Sequence, residues 1–143
     1  MKSKGVLLGI DYGLKRIGLA LSDIDRQIAT PFKTISKLKE LDDIIPAKEV
    51  TGVIIGLPLQ TNNEEGEIAK FVRLFASRVH EKYNLPVFFV DERYTSKFST
   101  EDLTQRFMRE KKQKQVLDAY AAARILQQGL DLLKKDENNL IPL

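Results

Sequence analysis

The sequence predicts an α/β fold in which helices flank a mixed sheet of five strands. Three apolar segments separated by short turns open the chain, and helical segments separate the two apolar segments that follow. Strands joined by short turns pair antiparallel, whereas strands separated by a helix pair parallel, so both pairings are expected in one sheet. The chain has 143 residues, 43% of them hydrophobic and 30% charged, which suits a single globular domain over residues 1–143.

Short apolar runs bounded by turn residues predict the strands. The first two runs are separated by residues 12–15, which is a hairpin signal. The third run is a weaker strand signal, because Pro31 near its start cannot donate a backbone hydrogen bond to a neighbouring strand. The last two are apolar runs separated by a helical segment, which indicates parallel strands in a sheet with helices packed on its faces. The five predicted strands cover residues 5–11, 16–22, 28–36, 52–58 and 86–92.

Apolar residues that recur at helical spacing predict the helices. The predicted helices cover residues 38–50, 64–83, 99–110 and 115–134. The expected buried face of the second helix carries Ile68, Phe71, Val72, Phe75 and Val79. Residues 135–143 are expected to form a flexible tail.

Composition excludes several kinds of site. The absence of cysteine excludes disulfides, thiolate metal sites and a thiol nucleophile, and the single histidine, His80, excludes a site with several histidines. A net charge of +3 favours a polyanionic partner without requiring one. No apolar run approaches the roughly 18 residues of a membrane span, and residues 1–4 do not open a signal peptide. We therefore expect no membrane association and a cytoplasmic location.

Four acidic residues stand at the ends of predicted elements. Asp11 ends the first strand, Asp91 and Glu92 end the last strand, and Asp118 begins the last helix. The carboxyl ends of strands line the ligand crevice of an open α/β sheet, and carboxylates that meet there repel one another unless a cation joins them. Oxygen ligands without His or Cys suit Mg²⁺ or Mn²⁺. Two such ions can activate a water and stabilise the leaving oxygen of a phosphodiester.

Each of these acids taken by itself also has a local interpretation. Asp11 suits a turn cap, and Asp118 suits a carboxylate that faces the dipole of its own helix. Glu92 suits an ion pair with the adjacent Arg93. The sequence alone leaves these interpretations open beside the metal site.

Cationic and hydroxyl side chains near the acids are candidates for phosphate contacts. A run of cations precedes Asp118 with only Glu110 opposing it, and such a segment either steers a nucleic acid or is solvated surface. The candidate nucleic-acid contacts are Lys15, Arg16, Arg93, Thr95, Ser96, Arg109, Lys111, Lys112 and Lys114.

Four segments together resemble the YqgF family, which is also called RuvX and comprises pre-ribosomal-RNA nucleases and Holliday-junction-resolvase-like proteins. They are GIDYGLKRIGLALSD at 9–23, GLPLQTNNEEGEIA at 56–69, VDERYTS at 90–96 and DAYAAARILQ at 118–127. The resemblance implies an RNase H-like fold and metal-dependent hydrolysis of phosphodiesters. It implies Asp11, Glu92 and Asp118 as catalytic acids and metal ligands, with Asp91 as a further candidate acid.

The expected function is therefore that of a metal-dependent nuclease acting on structured RNA or branched DNA. The resemblance implies 5′-end processing of the small-subunit (16S) rRNA precursor, with Holliday-junction resolution as the alternative. A binding module with weak catalysis is a second alternative. An actin-like or sugar-kinase-like ATP-binding domain is a third, but those folds need two such domains and this chain supplies one. A homodimer would suit a symmetric junction.

Overall fold

The computed structural model describes residues 4–59, 65–92 and 113–143. The strands in these ranges are β1 (Val6–Tyr12), β2 (Ile17–Ser22), β3 (Ala29–Ile35), β4 (Val50–Leu57), β5 (Val87–Asp91) and β6 (Ile141–Pro142). They form one sheet in the order β3-β2-β1-β4-β5-β6. The three N-terminal strands pair antiparallel, whereas β4 pairs parallel with both β1 and β5. The predicted mixed α/β sheet is thus confirmed, and β1, β4 and β5 all end at what we call the carboxyl end of the sheet.

Helices cover both faces of this sheet. The α-helices in the described ranges are α1 (Leu41–Ala47), α2 (Glu67–Tyr83) and α3 (Gln113–Lys135), and a 3₁₀ turn over Leu38–Glu40 leads into α1. One hydrophobic core joins α1 and α2 to alternate strand residues such as Leu8, Ile10 and Ile55. A second core joins α3 to the residues between them, such as Leu7 and Ile54. The alternation of side chains along each strand therefore divides the sheet into an α2 face and an α3 face.

Glycines on the α3 face allow the helix to lie unusually close to the sheet. A Cβ atom built at Gly18 would overlap the backbone carbonyl of Asp118, and one built at Gly9 would lie 2.6 Å from the Cβ of Leu126. The helix presents small residues in return, because Ala119 and Ala122 are both buried. The close approach that the alanines predicted is present, and it sets the position of Asp118 relative to the strands.

The buried face of α2 differs from the predicted one. Ile68 and Phe71 are each 49% exposed, although both were expected in the core. The buried residues of the helix are Ala69, Val72, Phe75, Ala76 and Val79. Val72, Phe75 and Val79 are buried as predicted. The prediction was wrong for Ile68 and Phe71, because the helix lays two alanines against the sheet and only large apolar residues were used to locate its inner face.

Residues 135–143 also differ from the expected flexible tail. A 3₁₀ turn over Glu137–Asn139 follows α3, and the side chain of Asp136 accepts a hydrogen bond from the backbone N–H of Asn138 at 2.9 Å. Leu140 is 3% exposed, and the two residues of β6 pair antiparallel with β5. The prediction of five strands was one short, because a two-residue strand has too few residues to show a sequence pattern.

Two further expectations concern the helices. The helix predicted over residues 99–110 lies outside the described residues. Within the described ranges, no helix combines the length and the apolarity that crossing a membrane requires.

Candidate active site

Asp11 lies at the carboxyl end of β1, where it points to the α3 face in phase with Leu7 and Gly9. Burial, together with the negative charges of Glu92 and Asp118, raises the pKa of its carboxyl from 3.8 to about 7, and the positive charge of Arg124 partly offsets this rise. An acid responds to a neighbouring charge in this way only when the two groups are close. Asp11 is therefore the partly buried centre of the acidic group.

Glu92 reaches the same place from β5. Its Oε1 atom lies 2.5 Å from the position that a Cβ at Gly56 would occupy. Gly56 follows Ile55, the register partner of Ile10, so it is level with Asp11 on the neighbouring strand. Burial raises the pKa of Glu92, and the charge of Asp91 adds to the effect. The bare backbone at Gly56 thus makes room for the Glu92 carboxylate beside Asp11.

Asp91 is turned away from this pair. It lies in β5 opposite Leu57 and in phase with Phe89, and both of these residues belong to the core on the α2 face. Its charge acts on Glu92 but is not among the causes that shift the pKa of Asp11. The structure therefore brings Asp11, Glu92 and Asp118 to one end of the α3 face and leaves Asp91 on the other face.

Asp118 is held by a cation from the β1–β2 hairpin. Its Oδ2 accepts a hydrogen bond from the Nε of Arg16 at 2.6 Å, and both side chains are partly exposed. Arg16 immediately precedes β2, so the hairpin turn places its guanidinium next to the start of α3. This residue was predicted to contact nucleic acid, and in the structure its Nε is directed to an acid of the site.

The three acids converge without forming a finished metal cage. Within residues 4–59, 65–92 and 113–143, no three Asp, Glu or His side chains are grouped closely enough to hold a metal ion. The pKa of Asp11 nevertheless responds to Glu92 and Asp118. The three carboxylates are therefore close enough for their charges to affect one another, but they are too far apart to coordinate a single metal ion. The donor set fits Mg²⁺ or Mn²⁺, because it consists of carboxylate oxygens whose mutual repulsion a divalent cation would offset.

Arg124 is a residue of the site that the sequence analysis did not identify. Its charge lowers the pKa of Asp11 against the effect of the two acids. Its signal was present but weak, since it is a long cation between two buried positions, Ala123 and Ile125. A cation flanked by buried residues must either reach solvent or find an acid.

Most of the predicted nucleic-acid contacts cannot be placed. Lys15 is exposed in the hairpin turn beside Asp11 and Arg16. The backbone of Lys114 belongs to the first turn of α3. The side chain of Lys114 and the residues Arg93, Thr95, Ser96, Arg109, Lys111 and Lys112 lie outside the described part of the structure.

A hairpin that leads into parallel strands, with acids at the ends of β1 and β5 and on the helix packed across them, defines the RNase H-like class of nucleases. Two solved structures of Thermus thermophilus RuvC share this fold. One, in complex with a Holliday junction substrate, has a TM-score of 0.62 at 13% identity and covers 97% of this chain and 99% of that chain. The other has a TM-score of 0.61 at 11% identity and covers 96% and 99%.

The family model described as RuvX, Holliday junction resolvase, matches residues 5–132, and the chain belongs to this family. A curated relative from Paramagnetospirillum magneticum is 39% identical over 87% of this chain and 84% of its own length. One from a Sulfurihydrogenibium species is 38% identical over 89% and 90%. Both are named as pre-16S rRNA nucleases. The predicted family, the RNase H-like fold and the hydrolytic nuclease class are thereby confirmed.

Proposed function

We propose that this protein is a metal-dependent nuclease that processes the 5′ end of the 16S rRNA precursor. The names of its relatives support the substrate, and the observation that carries the chemistry is the convergence of Glu92 and Asp118 on the partly buried Asp11. An unneutralised acid in this position is unfavourable, so its retention at the end of an apolar strand calls for a function. A precursor rRNA is met in the cytoplasm, which is where we place the protein.

Asp11, Glu92 and Asp118 would hold Mg²⁺ or Mn²⁺. When bound, the metal would neutralise phosphate charge and help to activate a water for attack on phosphorus. Other residues of the chain position the three acids and limit their mutual repulsion. Asp11 and Glu92 stand side by side across Gly56, Arg124 limits their repulsion, and Arg16 fixes Asp118.

Cations around this centre would bind the nucleic-acid backbone. Lys15 is exposed in the β1–β2 turn, whereas the neighbouring Arg16 is held by its ion pair with Asp118. Contacts to phosphate position a nucleic acid without selecting its sequence, as structured RNA recognition requires. The other proposed contacts are Arg93, Thr95, Ser96, Arg109, Lys111, Lys112 and Lys114.

Resolution of branched DNA is the second candidate function. The family model carries the description Holliday junction resolvase, and a RuvC structure with the same fold holds a Holliday junction. The same acids would serve either substrate, because both reactions hydrolyse a phosphodiester. The two candidates therefore differ in the shape of the nucleic acid and not in the chemistry of the site.

A cleavage assay separates the candidates. The substrates are a 5′-extended 16S precursor fragment and a four-way DNA junction, each with Mg²⁺, with Mn²⁺ or with EDTA. We expect metal-dependent cleavage of the RNA, its abolition in Asp11→Asn, and its retention in the matched control Asp91→Asn. Cleavage of the junction alone would favour the second candidate, and binding without cleavage would favour a binding module. An Asp11→Asn variant as active as the wild type would overturn the proposed site.

A further inference from the structure

An exposed apolar stripe runs along α2. Ile68, Phe71 and Leu74 are 49%, 49% and 50% exposed. The core-facing side of the same helix is already complete, with Ala69, Val72 and Phe75 buried. Neighbouring large apolar side chains on a surface are typical of a protein interface. The stripe is therefore a candidate surface for binding another protein chain.

The stripe has charges of opposite sign at its two ends. Glu67, Phe71, Leu74 and Arg78 follow one another at intervals of four, three and four residues, which places them on one side of the helix. Glu67 and Arg78 are both exposed. Neither makes an ion pair with another residue of the described ranges. Along this side of the helix the order is acid, apolar, apolar, base. An antiparallel second copy of the helix would therefore place its base opposite the acid and its acid opposite the base.

We propose that the occupant is a second copy of this chain, docked with the two α2 helices antiparallel about a twofold axis between Phe71 and Leu74. In that arrangement each Phe71 faces the partner's Leu74 and each Glu67 faces the partner's Arg78. A parallel pairing would instead oppose acid to acid and base to base, which disfavours it. The twofold axis therefore follows from the charges.

The surroundings of the stripe fit the same symmetry. A shallow groove at the N-terminal end of α2 is lined by Pro58, Leu59, Gly66, Glu67, Ile68 and Ala69. The groove at its other end is lined by Leu38, Lys39, Arg78, Glu81 and Lys82 and is mainly cationic. The proposed twofold axis places the acidic end of each α2 helix next to the cationic groove of the partner. The stripe and the acidic site lie on opposite faces of the sheet, so the association leaves the α3 face accessible.

The association should be weak and reversible. A contact of about three helical turns, from Glu67 to Arg78, buries less than the roughly 800 Å² per partner of a standard interface. We therefore expect a dissociation constant in the micromolar range or above. The inference does not rest on the proposed nuclease activity, because its readout is the mass of the particle.

Sedimentation velocity over a wide range of protein concentration tests the pairing. We expect the wild type to approach twice the monomer mass, and Leu74→Glu to remain monomeric. Glu67→Arg and Arg78→Glu should each weaken the dimer by about tenfold or more. The double variant Glu67→Arg/Arg78→Glu should restore it, because the swapped charges again face each other. Ile28→Glu, which changes an exposed isoleucine far from α2 in sequence, is the control that should not alter the mass.

Circular dichroism and thermal unfolding confirm that each variant is folded before its mass is interpreted. A wild type that stays monomeric at every concentration would overturn the proposal. So would a folded double variant that fails to recover, or single charge reversals that leave the dimer unchanged. Recovery by the double variant alone among the charge variants would support the antiparallel pairing, since a parallel pair gains nothing from the swap.

Discussion

Arg16 and Asp118 are separated by 102 residues and meet in an ion pair of 2.6 Å between Nε and Oδ2. The pair joins the β1–β2 hairpin to the first part of α3. It also occupies a carboxylate that the resemblance assigned to a metal. The chain's own cation thereby partly neutralises the acidic site.

Replacement of Arg16 by Gln should lower stability and raise metal affinity. Without metal, unfolding should be easier by about 1 kcal/mol at most, because the pair is partly exposed. The affinity for Mn²⁺ should rise several-fold, since Asp118 is released and a positive charge is removed. Chemical denaturation in EDTA and calorimetric titration with Mn²⁺ measure the two effects. Lys15→Gln is the matched control, and an equal gain in affinity there would show that Arg16 acts only through general charge.

Asp11→Asn should stabilise the metal-free protein increasingly as pH rises. The folded pKa of Asp11 is about 7 against an ordinary 3.8, so the folded state retains a proton that the unfolded state releases. The wild type therefore loses stability between about pH 4 and pH 7, whereas Asn does not titrate. The difference should grow by as much as roughly 4 kcal/mol across this window. Urea denaturation in EDTA at several pH values measures it, and a flat difference would contradict the burial of this acid.

Gly18→Ala should destabilise the protein by about 1–3 kcal/mol, because its Cβ would overlap the backbone of α3 at Asp118. Gly129→Ala is the matched control within α3. Its Cβ would meet side chains and not backbone, with the Cδ1 and Cγ2 atoms of the buried Ile54 at 2.8 and 3.1 Å. The gain in helix propensity, up to about 1 kcal/mol, should offset part of this cost and make the loss smaller than at Gly18. Thermal unfolding compares the two, and equal losses would mean that α3 does not depend on the glycine at Gly18.

Leu140→Ala should destabilise the protein by about 2–5 kcal/mol, because Leu140 is 3% exposed and packs in the core of the α3 face. Leu143→Ala, at a residue that is 43% exposed, should change stability by less than about 0.5 kcal/mol. Denaturant unfolding resolves the two values. A neutral Leu140→Ala would restore the expectation of a flexible tail.

The parts of the fold and of the site that depend on local sequence patterns could be predicted from the sequence. The hairpin, the parallel strands and the position of Asp11 at the end of β1 follow from apolar runs and turn residues. Asp118 could be assigned to the sheet because alanines accompany it on α3. These features are visible over ten or fifteen residues, which is the range in which periodicity is informative.

The features that depend on contacts between residues far apart in the sequence could not be predicted from it. The pairing of Arg16 with Asp118 has no local signal, and the weak local signal of Arg124 does not identify Asp11 as the acid that it affects. The different faces of Asp91 and Glu92 depend on where β5 ends, and boundaries are the least certain part of a predicted strand. The strand β6 forms because its two residues pair with the free edge of β5. A pattern within two residues cannot predict this pairing.

The glycine-lined surface beneath α3 has a consequence for protein synthesis. A nascent chain that has reached β5 already carries Asp11 and Glu92, but the backbone at Gly9 and Gly18 remains uncovered until α3 emerges. At about 5–20 residues per second, the ribosome delivers that helix seconds after the first strand. During this interval the acidic set lacks Asp118, so an incomplete polypeptide cannot assemble the site. Translation thus sets the earliest moment at which the enzyme becomes competent.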